Sequence, residues 1–452
     1  MRNRHLAAIP LAALLLTACA SAVSAQPADA TTSPDAAASS PAQPDAAASS
    51  PSQPAAETSA PPLTPKFPVG HLLTLPQNQN SGPVWNTGDA LYELRDASNM
   101  TPEALVLKTD YAALTQSVYC DIPGCTHDSD ACPAYLASDF CVGVMAVDGT
   151  VYTYPGELTN VAPTQIYRID PAVGKTPVAA VPDALPHHMQ LQWCDEYALY
   201  GCPLAASHQP GTLYRWDWQN DTVQTIPMLA DEKIIACEGS RFLTIRIEAN
   251  EPFPNFGSTE QEKAILAHAV YVYAWLDPAT GAREKICTRP YADGYFHNYY
   301  DGRIYYTGNF RNADTPGQQA ALLYFDTADG TEKTLLETIP FDTYGIDVCE
   351  PFSPAFAGVP QRYLRVLNVG DAYADCLLDM ETGDVLPAPT VTAEGVRRPA
   401  LLLACTASGQ WLTTANPRDS YDPQYSLYAL WDPADFLADG QPAAWVTMYA
   451  TE

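Results

Sequence analysis

Cysteine and histidine crowd into one stretch of this chain. Cys120-Asp-Ile-Pro-Gly-Cys125-Thr-His127-Asp-Ser-Asp-Ala-Cys132 is followed by Cys141, so four of the twelve cysteines fall within residues 120–141. Random scatter would place fewer there. Three chemistries compete for them. Cys120, Cys125, His127 and Cys132 make a Cys3His set, and thiolates with an imidazole are the donors that zinc and other soft-ligand metals prefer. The single residue between Cys125 and His127 is tighter than the usual Cys-x2-Cys spacing. An exported chain could instead pair these thiols, for instance as Cys120–Cys132 and Cys125–Cys141, which leaves His127 without a role. Free thiols held in a reducing niche are the third reading. The Pro123-Gly124 turn folds Cys120 and Cys125 back toward each other.

The remaining candidates are weaker. His187 and His188 are adjacent and could coordinate a cation, although neighbouring histidines more often face solvent. Cys194, Cys237, Cys349 and Cys405 sit in or beside short apolar strands, where free cysteine behaves as a small buried hydrophobe. Cys194 and Cys202 are close enough in a hairpin to pair. No Gly-x-Ser-x-Gly elbow is present, and no trailing α/β segment that could carry a hydrolase domain. Trp216-Asp217 and Trp431-Asp432 close strands as in WD repeats, but the accompanying Gly-His pairs are missing. With 52 acidic residues, no two carboxylates stand out as a catalytic pair.

The elements that must position these residues come from a repeat. Ile166 to Gly174 (Ile-Tyr-Arg-Ile-Asp-Pro-Ala-Val-Gly) and Val272 to Gly281 (Val-Tyr-Ala-Trp-Leu-Asp-Pro-Ala-Thr-Gly) are the clearest copies. Leu323 to Gly330 and Leu378 to Gly383 are looser ones. The Asp can bond its own backbone two residues on, Pro presets the next φ, and Gly takes a positive φ, so each copy reads as strand, turn, strand. Upstream of each copy lies a second hairpin; Val142–Val147, the Asp148-Gly149 turn and Thr150–Tyr154 are one example. Glu260 to His268 is the one short helical candidate.

Units this small cannot bury their own faces and must stack on their neighbours. Four-stranded units repeated about an axis leave only short, protected edges. The expected fold is therefore all-β: a β-propeller of seven four-stranded blades, with six or eight as the error range. Either Gly70–Leu75 or Trp445–Tyr449 should complete a blade and close the ring. The Cys120–Cys132 segment falls between two units, which predicts a place at one mouth of the central channel.

The loose Tyr-x-x-Asp-x-x-x-Gly turns, from about residue 85 to 450, resemble those of the TolB-like and pyrroloquinoline-quinone-like propeller superfamily. That resemblance implies fold far more than function.

The first nineteen residues have the parts of an export signal. Arg2, Arg4 and His5 precede an apolar run from Leu6 to Leu16 that is too short to span a bilayer. Leu16-Thr17-Ala18-Cys19 resembles the bacterial lipobox, in which the cysteine is acylated and becomes the first mature residue. Residues 20–66 are almost all Ala, Ser, Pro, Gln, Thr and Asp and contain a near-duplication at Pro34 and Pro44, the composition of a disordered tether. With lipobox, tether and repeats together, the chain looks like the propeller-type lipoproteins of anaerobic Gram-positive bacteria. The expected organisation is signal peptide 1–19, tether 20–66 and propeller 67–452, with the body on the extracytoplasmic face of the cell membrane and held by lipid at Cys19.

A net charge of −29 makes nucleic acid and anionic lipid surfaces poor direct partners. The leading expectation is a module that binds a protein or carbohydrate ligand at the channel mouth. The alternatives are a carbohydrate-active hydrolase or lyase using acidic residues in the channel, and a structural envelope component.

Overall fold

Third-strand ends carry the repeat's turn chemistry in the computed structural model. Asp110, Asp170, Asp277, Asp326, Asp379 and Asp432 each accept a backbone N–H from two residues on. Asp217 accepts instead from the amide three residues on, that of Asn220. Gly281, Gly330 and Gly383, at φ 74°, 68° and 80°, complete three of these turns in the left-handed region. The first hairpins use the other expected device: Asp148-Gly149 and Asp301-Gly302 both have positive φ, the type I′ geometry that matches strand twist.

The structure describes residues 64–75, 84–96, 103–137, 142–158, 164–203, 208–251, 259–291, 296–308, 321–338, 350–351, 362–366, 376–387, 389–393, 396–415 and 427–449. All belong to one compact unit, Pro62–Glu452. Among them the fold is all-β with two short helices, α1 (Thr259–Leu266) and α2 (Pro433–Leu437). The first matches the expected helical segment.

An N-terminal strand β1 (Leu73–Thr74) precedes the first blade. That blade is formed by β2 (Val84–Asn86), β3 (Ala90–Asp96), β4 (Ala104–Asp110) and β5 (Thr115–Val118), with β6 (Tyr135–Leu136) also on β4. The second blade follows within residues 142–180, the third within 189–230, the fourth within 233–290 and the fifth within 296–336. The C-terminal blade lies within residues 401–445. Each is an antiparallel meander, so the β-propeller expectation holds. Among the described residues six blades are complete. Seven were expected, and that number is not established. The strands around Tyr363–Val366 form a further sheet interrupted on both sides by residues outside the described set, and Thr390–Ala393 pairs with Val396–Pro399 as a separate hairpin.

Apolar clusters link each sheet to the next. Leu105, Val118 and Val144 join the first blade to the second, and Met145, Tyr154 and Leu191 join the second to the third. Trp193 and Phe242 join the third to the fourth, and Trp275 and Tyr299 the fourth to the fifth. A last cluster holds Tyr363, Trp411 and Trp431 together with Val84 and Leu91 of the first blade, which brings the ring back to its start. Each such side chain contributes about 1.5–3 kcal/mol by leaving water.

Of the two predicted closing segments only the C-terminal one completes a blade; the other adds a strand to a blade that already has four. Leu73 and Thr74 pair with Cys194 and Trp193 on the inner edge of the third blade's first strand. Leu72 also bonds the carbonyl of Gly239 in the fourth blade. The C-terminal end supplies the last blade's outer strand at Ala444–Trp445, then crosses so that Thr447 bonds Leu114 and Gln116 of the first blade. This closing seam is sealed by buried polar groups. Arg95 pairs with Glu93 at 3.0 Å, Gln116 donates to both Glu93 and Thr109, and Arg95 reaches the carbonyl of Tyr449.

Four first strands share an irregularity. An extra residue is inserted at Gln192, Ile235, His297 and Leu403, each shortly before the first turn. Such bulges sharpen local twist where the strands converge.

Candidate metal centre

Val106 of β4 defines both ends of the cysteine loop. Its carbonyl accepts from the amide of Tyr119, and its own amide donates to the carbonyl of Ala134. β5 leaves the edge of β4 after Val118, and the chain returns to the same edge as β6, where Tyr135 faces Leu105 and Leu136 faces Ala104. The segment 120–133 is thus an excursion within the outer strand of the first blade.

Three tight turns fold the excursion. The amide of Cys120 bonds the carbonyl of Val118 at 2.7 Å. Pro123 and Gly124 (φ 74°) form the corner closed by Cys125 N–H to the Ile122 carbonyl at 3.2 Å, the Pro-Gly chemistry of a type II turn. His127 is itself left-handed, at φ 60°, and the amide of Cys132 bonds the carbonyl of Ser129. The left-handed step at His127 reverses the chain at once, which lets a histidine two residues from Cys125 join it.

The result is a compact donor set. The ligand atoms of Cys120, Cys125, His127 and Cys132 all lie within 4.8 Å of one another. His127 Nδ1 and Cys132 Sγ are 3.3 Å apart. A tetrahedral zinc with Zn–S of about 2.3 Å and Zn–N of about 2.0 Å has ligand-to-ligand edges of roughly 3.5–3.8 Å. The residues fit such an ion with small side-chain movements. Cys132 is 1 % exposed and packs with Val118, Ala134 and Leu136, while Cys120 and Cys125 are half-buried at the edge of that cluster.

The electrostatics are uneven. Burial pushes the Cys132 thiol up to about 12 and raises Cys120 as well. Cys125 is held below the ordinary thiol value, first by the backbone N–H of His127. Among the described residues no lysine or arginine is found paired with the sulfurs. Lys175 of the second blade, a residue that sequence reasoning did not single out, bonds instead to Asp130 and to the carbonyl of Tyr135. Asp121 N–H adds a bond to the Pro171 carbonyl. Both contacts tie the loop to the turn between the third and fourth strands of the second blade.

That position corrects one expectation. The cluster lies on the outer side of the first blade, at the β4 edge facing away from β2, and not at a channel mouth. The physical reason is the return through β6: the loop interrupts an outer strand before the chain crosses to the next blade. Cys120, Cys125 and Cys132 carry free thiols, and Cys141, the partner in the Cys125–Cys141 alternative, lies outside the described residues. Cys194 and Cys202 do not meet either. In their hairpin Cys194 faces Leu199, and Cys202 faces Gln190. His187 and His188 join no metal-competent group among the described residues.

Among the described residues the buried carboxylates have structural partners. Glu93 is held by Arg95 and Gln116, Asp195 by the amides of Tyr197 and Ala198 and the Tyr200 hydroxyl, Asp217 by Asn220, and Asp379 by Arg362.

No protein-family description matches this chain, and no curated protein does. Solved structures similar to it include a puromycin hydrolase variant (12% identity, TM-score 0.41, covering 80% of this chain and 53% of that one). An acylaminoacyl peptidase of Pyrococcus horikoshii is similar at 12% identity and TM-score 0.40, over 80% of this chain and 51% of that one. The β-propeller domain of the Trilobed protease from Pyrococcus furiosus is similar at 8% identity and TM-score 0.42, over 81% and 95%. The chain thus spans about half the length of the puromycin hydrolase and of the acylaminoacyl peptidase.

Proposed function

We propose that this chain is a lipid-anchored extracytoplasmic propeller that binds a protein or carbohydrate ligand without catalysis of its own. On this reading Cys19 carries the acyl chains, residues 20–66 hold the body away from the membrane, and the sheet containing Tyr363 is the seventh blade. The superfamily kinship is to TolB-like and pyrroloquinoline-quinone-like propellers. The observation that carries the non-catalytic reading is the engagement of Glu93, Asp195, Asp217 and Asp379, each committed to ion pairs or turn amides. In support, the inner edge of the third blade is covered by β1 and by Glu157–Leu158, so the chain fills space near its own axis.

The Cys120, Cys125, His127 and Cys132 set is proposed to hold a structural zinc ion that fixes the outer loop. Its soft donors, the closeness of its ligand atoms and its half-buried position all suit that ion.

The test presents glycan and peptide libraries to the soluble body and reads retention and cleavage together. Ligands retained unaltered support the binding module. Cleavage products would replace it with the hydrolase or lyase reading.

A further inference from the structure

We infer that the cysteine loop is a redox-controlled metal site, in which a Cys120–Cys125 disulfide and a bound zinc ion are mutually exclusive states. The inference rests on the zinc reading above and adds its regulation. Zinc and disulfide entered as rival explanations of these residues, but the folded loop makes them alternatives open to one and the same site. Three sulfurs within 4.8 Å of one another are close enough to share a metal. Sulfurs this close can also be joined in pairs, at the roughly 2.05 Å of a disulfide bond.

The structure selects the pair. Cys132 is 1 % exposed and packed into the seam between the first two blades, where an external disulfide cannot reach it. Cys120 and Cys125 are both half-buried, Cys120 two residues ahead of the Ile122–Cys125 turn and Cys125 at its close. That turn is closed by its own backbone bond and survives whichever state the thiols adopt.

The co-reactant is a low-molecular-weight disulfide. Cys125 sulfur attacks one of its sulfurs, forming a mixed disulfide and expelling one thiolate. Cys120 sulfur then attacks Cys125 sulfur, forming the internal disulfide and expelling the second thiolate. Two cysteine thiols are oxidised and one external disulfide is reduced to two thiols, so electrons and atoms balance. The protons carried by Cys120 and Cys125, or the metal charge they neutralised, pass to solvent and to the leaving thiolates. Only His127 and Cys132 then remain as donors, two where a structural zinc needs four, and the ion leaves.

The experiment uses the full chain loaded with zinc in detergent and exposed to oxidised glutathione. A chromogenic chelator reads released zinc, and peptide mass mapping locates the linkage. The expected result is loss of one zinc per chain, in step with a two-hydrogen mass loss mapped to Cys120–Cys125 and reversed by a dithiol plus zinc. Zinc that stays bound under oxidant, or release with a linkage through Cys132, would overturn the switch alone. A reduced chain that takes up no zinc would overturn the zinc reading and the switch together.

Discussion

The Tyr428 hydroxyl donates to Glu93 Oε2 over 2.5 Å, joining the C-terminal blade to the first across 335 residues of sequence. Burial, together with the neighbouring Glu93 charge, keeps that phenol protonated far above its ordinary range. The bond belongs to the seam where Thr447 crosses to β5, so it helps to close the ring. Tyr428→Phe removes only the oxygen and leaves a buried carboxylate short of one donor. A hydrogen bond to a charged group is worth about 1.5–3 kcal/mol, and the variant should lose about that much in urea unfolding. A stability equal to the parent would mean that the seam closes without this bond.

The proposed zinc site predicts a stoichiometry. Cys132→Ser replaces the most deeply buried sulfur and should abolish stoichiometric zinc in elemental analysis. Serine at Cys194, outside the cluster, should leave zinc unchanged. A ligand bound only by the folded state stabilises it by mass action, so chelation should lower the melting temperature of the parent but not of Cys132→Ser.

Leu75 is 1 % exposed and packs with Met145, Tyr154 and Leu191, although it lies close behind the tether-like composition. Leu75→Ala should therefore cost about 2–5 kcal/mol by denaturant titration. A cost near zero would assign the segment to the tether.

Acid should weaken the fold through specific carboxyls. Lys333 and the Thr331 hydroxyl hold Asp329 down to about 2. The amide of Ala113 and then Lys108 lower Asp110. Burial pushes Asp379 up, but Arg362 and the amide of Glu381 outweigh it and leave it low. Each carboxyl is low when folded and ordinary, near ~4, when unfolded, so the unfolded chain takes up protons first as pH falls. Their contribution is present in full above about pH 4 and is lost progressively toward about pH 2. Lys333→Met should flatten the dependence of the urea midpoint on pH in that window. An unchanged slope would count against the assignment.

Cys19 lies outside the described residues, and its role is tested directly. Cys19→Ser should move the protein from the membrane fraction to the medium. Continued membrane retention would refute lipid anchoring.

Local chemistry was the legible part of this fold. The Asp-to-Gly turns, the helix near Glu260 and the four donors of the metal set depend on neighbours within about a dozen residues, and residue type alone encodes them. Closure was legible only as a pair of options, because Leu73 and Thr447 are satisfied by strands far away in sequence. Nothing near Glu93 in the sequence announces Tyr428, and nothing near Tyr135 announces Lys175. The bulges at Gln192 and Leu403 escaped for a related reason: an extra residue in an apolar run leaves no mark until a partner strand fixes the register. The cluster was misplaced to a channel mouth because Tyr135–Leu136 is too short to read as a strand, yet that short return keeps the loop on the outer edge.

The two bonds made by Val106 have a consequence for how such a site is gained or lost. A loop whose ends close on one residue of an uninterrupted strand is a detachable accessory. If the segment from Cys120 to Pro133 were excised, Tyr119 and Ala134 would become neighbours, and β5 and β6 would fuse into one fourth strand with a single bulged residue opposite Val106. The first blade can keep its strands with or without the cysteine loop, so gain or loss of the site need not disturb the ring.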